Sequence, residues 1–313
     1  MQSDFLYIYT VYQEGSFSKA AEKLYLTQPA LSIAIQKIET SIGMPLFDRS
    51  KRPLQLTAAG KAYIDAIEKM QYLEQDLNQE ISDIRNLKKG TLRIGGSHYI
   101  NAFILAPILA GFNREYPEIH LELVEAGSAE INEMLAARKL DMTFSCNDMF
   151  MKNFEKYAGF RDRVLLAVPQ LYDINQGYAK ERMTAADILE GRHLREDCPR
   201  ISLEEFRDLD YIFLKKGNNL YDRCIQLFAE KGIRPRIKMS LSQMATAKEL
   251  AEEGMAATFV CDRLVRSQFS RLYYYKLDSK LAERIFYIIL PNRAYTSHAA
   301  KMFIQYFLVN LTV

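Results

Sequence analysis

Ser16-Phe17-Ser18-Lys19-Ala20-Ala21-Glu22-Lys23-Leu24-Tyr25-Leu26-Thr27-Gln28-Pro29-Ala30-Leu31-Ser32 packs two helix starts into one short stretch. Upstream of it, Phe5, Ile8, Tyr9 and Tyr12 recur at helical spacing, predicting a first helix from Ser3 or Asp4 to Glu14 that stops at Gly15. Ser18 is a competent N-cap for a short second helix, Lys19 to Leu24, with Ala20, Ala21 and Leu24 as its small apolar face. Such a helix is too short to stand alone. Tyr25-Leu26 form the turn, and Thr27 caps a third helix with Pro29 in its first turn, where a missing N–H is harmless. Leu31, Ile35, Ile38 and Ile42 then follow the helical period as a buried stripe.

Gln28, Ser32 and Gln36 lie four residues apart on another face, which is polar but almost uncharged. A solvated helix face usually carries Lys and Glu. A helix that enters a DNA major groove instead presents short amides and hydroxyls, which meet base edges without trapping an unpaired charge. Any one of these residues fits the outside of an ordinary three-helix core, so the reading rests on their conjunction with the tight turn. After Gly43, Pro45 to Thr57 reads as two short extended pieces around a basic turn, the shape of a wing. Arg49, Lys51 and Arg52 give it positive charge suited to phosphates or a minor groove, charge that the chain's total of +2 hides.

The segment FSKAAEKLYLTQPALSIAIQKIETSIGMPLFDRSKRPLQLTAAG resembles the winged helix-turn-helix of the LysR-type transcriptional regulators, with that family's AA, TQPALS, LFxR and LTxAG elements in order. The resemblance implies a third helix that reads bases, with Ser18, Thr27, Gln28, Pro29, Ser32, Gln36, Arg49 and Arg52 near double-stranded promoter or operator DNA. From Thr57 onward no Pro occurs until Pro107, and Ile64, Ile67, Met70, Leu73, Leu77, Ile81, Ile84 and Leu87 recur every three or four residues. This predicts a long helix with an oligomerisation seam, ended by a hinge at Lys88-Lys89-Gly90. In the family such a helix pairs two chains over related half-sites, and a homotetramer of dimers is the family expectation.

The second half repeats a strand–helix rhythm. Thr91 to Gly96 reads as a buried strand, followed by a Ser97-His98-Tyr99 turn and a helix through Phe103 to Phe112. Alternation over Ile119 to Glu125, a helix through Ile131 to Leu135, and apolar runs at Met142, Val164, Tyr211, Ala256 and Ile285 continue it. The pattern LRIGGSHY…LAPILAGFNREYPEIHLEL is similar to the effector-binding domain of the same family, itself like a periplasmic binding protein with two crossover strands. The expected fold class is therefore mixed α+β and α/β: a winged helix-turn-helix over 1–57, a linker helix and hinge over 58–90, and a two-lobed α/β domain over 91–313. Lobe I is expected at about 91–163 and 265–313, and lobe II at about 164–264.

In open α/β sheets ligands sit at the carboxyl ends of strands, against helix N-termini that favour anions. That places Ser97, His98, Tyr99, Ser128, Ser145 and Asn147 in one lobe, and Lys215 and Thr246 in the other, around a small effector expected to be anionic. The alternative that each Ser or Thr is a helix cap stays open. Between about 175 and 200 the chain departs from the family by about twenty extra residues, which could form a helix over the cleft.

The 313 residues, 49% apolar, suffice for two or more cores, and no window approaches a membrane span. Four scattered cysteines without a CxxC pair argue against zinc or a disulfide framework and for a reducing compartment. The opening Met1-Gln2-Ser3-Asp4 is unlike a secretion signal, so a soluble, cytoplasmic protein is expected. His98, His120, His193 and His298 lack metal spacing, and neither a phosphate loop nor a GxSxG elbow occurs, so no catalytic residue, metal or cofactor is expected. The function implied is an effector-controlled DNA-binding regulator, with RNA polymerase a further candidate partner. Its competitor is a ligand-independent architectural or repressing DNA-binding protein whose second half only oligomerises.

Overall fold

The structure is a computed structural model describing residues 2–85, 90–292 and 294–311. The chain divides into two compact units, Met1–Ile81 and Ser82–Val313.

In the first unit, α1 (Gln2–Glu14), α2 (Phe17–Lys23) and α3 (Gln28–Ile42) are followed by a two-stranded wing, β1 (Phe47–Asp48) antiparallel to β2 (Gln55–Leu56), and by α4 (Ala58–Arg85). Ile8, Val11, Ala20, Ala21, Leu31, Ile35, Leu46, Phe47, Ile64 and Ile67 form its core. The cap of α2 is Ser16, whose Oγ accepts from Lys19 N, so the expected start at Ser18 is corrected by two residues. Phe17 decides this: inside the helix its ring packs edge-on to Phe47, 5.7 Å away. Thr27 caps α3 as expected, and Gly43, at φ 77°, ends it in the left-handed region that favours glycine. The expected stripe is shorter than its period: Leu31 and Ile35 are buried, Ile38 is half-buried, and Ile42 is exposed because α3 outruns the core.

In α4, Ile64 and Ile67 belong to this core, whereas Met70, Leu73, Leu77, Ile81 and Ile84 are exposed along the following turns. Leu87 and the hinge residues Lys88 and Lys89 lie outside the described residues, and Gly90 opens a strand. The last turn of α4 belongs to the second unit, where buried Asp83 accepts the amide of His298 at 2.7 Å.

The second unit continues with β3 (Gly90–Gly96), a helix over 98–115 whose Ile100–Leu105 stretch is π-helical before α5 (Ala106–Glu115), β4 (Ile119–Glu125), α6 (Ser128–Ala136), β5 (Met142–Ser145), α7 (Asp148–Met151) and the long β6 (Phe154–Pro169). Then come α8 (Ala185–Leu189), β7 (Asp210–Leu214), α9 (Asn219–Glu230), β8 (Arg236–Leu241), α10 (Met244–Glu252), β9 (Ala257–Cys261), β10 (Leu272–Lys276), β11 (Glu283–Pro291) and α11 (His298–Asn310). The strand order is β4-β3-β5-β11-β6-β9-β7-β8, with β10 also on β6. The first half of β6 pairs with β11 and its second half with β9 and β10, so one strand carries the chain from lobe I to lobe II. The expected return at about 265 is corrected. Because β10 pairs with the second half of β6, the chain stays with the lobe II sheet until β11.

The extra segment does fold, but not over the cleft. Met183 forms an antiparallel bridge with Tyr274, Ile201 a parallel one with Leu277, and buried Asn175 accepts the Tyr275 hydroxyl at 2.7 Å. These contacts tie the segment to β10, and it covers that strand's outer edge. Buried His193 meets Asp262 at 3.1 Å, and Asp262 also accepts the amides of Arg163 and Arg263, beside the first lobe crossing.

Candidate nucleic-acid interface and ligand cleft

The outward face of α3 is built by the Thr27 cap and the buried Leu31–Ile35 pair, which fix the helix's rotation. Gln28, Pro29 and Gln36 are exposed, Ser32 is half-buried, and Ser18, Thr27, Arg49 and Arg52 are exposed around them. Arg49 is held rather than free. Its Nη2 donates to Glu39 Oε2 at 3.1 Å, its Nη1 to Ser32 Oγ at 3.3 Å, and its guanidinium lies 4.8 Å over the Phe17 ring. The same Glu39 accepts the amides of Leu46 and Phe47 through Oε1, which ties the start of the wing to α3. Ser32 and Arg49 therefore belong to one surface. Ala30 and Ile33 are exposed on α3 too, apolar side chains of the kind that meet thymine methyl groups. Helical spacing flags both positions, but the polar-face criterion passed over them.

The second site is a cleft between the lobes, open to solvent. Ser97, His98, Tyr99, Ser128, Ser145 and Asn147 line it from lobe I. Lys215 and Thr246 do not, which corrects both expectations. After β7 the chain turns at Gly217, φ 92°, so Asn218 and Asn219 face the cleft while Lys215 stays in solvent. Thr246 lies further along α10 on an exposed side, and the cleft meets Ser242, Gln243 and Met244 instead. The helix over 98–115, α6, α9 and α10 all begin at lining residues, so four helix N-termini converge there.

Two of the lining amides also cap helices: Asn147 Oδ1 accepts Met149 N at 3.0 Å, and Asn218 Oδ1 accepts Leu220 N at 2.9 Å. His98 pairs with a carboxylate of the protein itself, Glu125 Oε2, at 3.3 Å. Ser97 and Ser128 have hydroxyls without hydrogen-bond partners among the described residues. Across the cleft, the Cys146 thiol donates to Asn219 Oδ1 at 3.2 Å, joining lobe I to lobe II. Burial pushes that thiol above its ordinary range, so it stays protonated at neutral pH.

The floor holds the one cation among the lining residues, Arg284. It is directly opposite Asp162 in the β11–β6 register, and its Nε donates to Asp162 Oδ1 at 2.7 Å and its Nη2 to Oδ2. Tyr99 donates its hydroxyl to the same carboxylate at 2.9 Å. Burial alone would favour neutral Arg284, but the Asp162 carboxylate overrides it and holds the guanidinium well above its usual range. Burial raises Tyr99 well above the ordinary phenol, with Cys261 and Asp162 adding to it. Among the described residues no cluster of His, Cys, Asp or Glu could hold a metal ion, and no helix is long and apolar enough to cross a membrane.

Two family models cover these same parts: the lysR-family bacterial regulatory helix-turn-helix over residues 3–61, and the LysR substrate-binding domain over residues 85–311. The chain belongs to the LysR family of transcriptional regulators. It is 26% identical over 304 residues to the uncharacterized HTH-type transcriptional regulator YcgK of Bacillus subtilis, covering 96% of this chain and 91% of that one. It is 27% identical to the "probable RuBisCO transcriptional regulator" of Nostoc sp., over 93% of this chain and 83% of the relative. The solved full-length CbnR in complex with its target DNA shares the fold at 18% identity, with a TM-score of 0.59 and 99% of both chains covered. As a LysR-family member this chain is a DNA-binding transcriptional regulator with a substrate-binding domain. Among the lining residues of that domain that the sequence did not point to is Arg284, whose place on the floor follows only from strand register.

Proposed function

We propose that this regulator binds operator DNA through α3 and the wing, and that a small anionic metabolite held between the two lobes controls its DNA binding or activation. The observation that carries the effector reading is the convergence of four helix N-termini on one cleft whose lining has hydroxyls, amides and a single cation but no carboxylate. Arg284 is already neutralised by Asp162, so the helix ends, Ser97, Ser128, Asn132 and Gln243 supply the remaining attraction for a compact anion. Ligand preference for one lobe arrangement would then shift the paired DNA-binding heads.

On the DNA side, Gln28, Ser32 and Gln36 contact base edges, Ser18, Thr27 and Pro29 lie at the groove edge, and Arg49 and Arg52 serve the wing. That CbnR, which shares the fold, has been solved with its target DNA supports a duplex as partner. The exposed Leu73, Leu77, Ile81 and Ile84 of α4 support a dimer through that helix, and a homotetramer is its extension. RNA polymerase is a further proposed partner, and the cytoplasm the proposed location.

Thermal-shift screening of the full-length protein against small organic acids and phosphates tests the effector reading, followed by footprinting with and without any hit. The expected result is a stabilising anion that alters the footprint. A cleft that no metabolite stabilises would favour the ligand-independent reading.

A further inference from the structure

The turn between α2 and α3 holds a residue that the fold itself has no use for. Helix α2 ends in a Schellman motif: Leu26 N donates to Ala21 O at 2.9 Å and Tyr25 N to Glu22 O at 3.1 Å. Tyr25 occupies the left-handed position of that motif, at φ 55°. At this position glycine is the unstrained choice, and the same unit uses it at Gly15 and Gly43, φ 57° and 77°. The tyrosine ring gains nothing inside the molecule in return. It is 97% exposed, more than any other large apolar side chain among the described residues, and its side chain makes no hydrogen bond or ring contact there. A strained backbone that holds an aromatic ring in water, two residues before the Thr27 cap of α3, calls for a use outside the protein.

We infer that Tyr25 is a DNA-contacting residue: its ring packs on a deoxyribose and its hydroxyl donates to a phosphate at the edge of the groove that α3 enters. The left-handed φ fixes the direction in which the side chain leaves the turn, so the ring is set before DNA arrives and little of its freedom is lost on binding. Tyrosine suits this place because a neutral hydroxyl positions the protein on the backbone without reading sequence. It displaces no counterion of its own, so its contribution is independent of salt, unlike that of Arg52. The inference rests on the reading of α3 as the element that meets the duplex.

The test compares full-length wild type with Tyr25→Gly, Tyr25→Phe and Gln28→Ala. Dissociation constants are measured on a selected operator and on a scrambled duplex across a salt series. Tyr25→Gly is expected to weaken both duplexes alike by about five- to tenfold with an unchanged salt slope, while the melting temperature stays level or rises by about 2–4 °C. Tyr25→Phe should keep the stability and lose the hydroxyl's part of the affinity. Wild-type affinity in Tyr25→Gly overturns the inference, as does a fall in its melting temperature, which would show the ring working within the fold. Intact DNA binding with lost transcription also overturns it and assigns the ring to a protein partner. If Gln28→Ala leaves discrimination intact, the reading of α3 fails separately from Tyr25.

Discussion

The reading face of the first unit and the cleft of the second are both built on helix ends, yet they are assembled in different ways. All the proposed DNA-facing residues fall between Ser18 and Arg52, and two successive helices with the wing bring them together. The cleft draws on residues from Ser97 to Phe286, delivered by turns after separate strands and by the register of β6 against β11. A local site is fixed by periodicity and capping. A convergent one exists only once long-range pairings are in place, so its central group is tied up in a buried ion pair.

That contrast can be broken most severely at Arg284. Arg284→Leu leaves Asp162, which has no solvent exposure, without its partner, and should cost about 3–5 kcal/mol in denaturant unfolding. Asp162→Leu added to it should recover much of the loss. If the single variant is as stable as wild type, the cleft floor is not organised by this pair. At the reading face the effects should be functional instead: Arg52→Ala should weaken operator and scrambled duplex alike and reduce the salt slope by about one. Arg49→Ala should reduce the slope less, since Glu39 already offsets its charge, and equal slopes for the two variants would contradict the clamp. Smaller still, Ser16→Ala should destabilise the first unit by about 1 kcal/mol while Ser18→Ala is near neutral, read by hydrogen exchange over α2. Least of all, Cys146 should react slowly with iodoacetamide at neutral pH, because burial keeps it as the thiol and Asn219 holds it across the cleft.

The same contrast explains what the sequence revealed. Helix α3, its Thr27 cap and its Gly43 stop were legible because each depends on neighbours within one or two turns. The start of α2 was not, since Ser16 and Ser18 are equally good caps and only the packing of Phe17 on Phe47 chooses between them. Ile42 kept the helical period but lies past the core it would have entered. In the second unit the strand ends could be read, which placed Ser97, His98, Tyr99, Ser128, Ser145 and Asn147 around a common space. Lys215 and Thr246 missed it because a turn at Gly217 and the rotation of α10 decide which side chains face inward. Arg284 was invisible for a stronger reason. Its partner Asp162 lies far away in sequence, and no spacing rule joins positions that meet only across a sheet. The extra segment around 175–200 could be recognised as an insertion, but its place on β10 depended on a bridge between Met183 and Tyr274 that composition does not encode.

The uncharged face of α3 is what should select sequence. The direct measurement is the ratio of affinities for a selected operator and a scrambled duplex, compared between wild type and the variant Gln28→Ala, Ser32→Ala, Gln36→Ala. We predict that the ratio collapses by at least about tenfold while binding to the scrambled duplex is unchanged. A ratio equal to that of wild type would contradict the account.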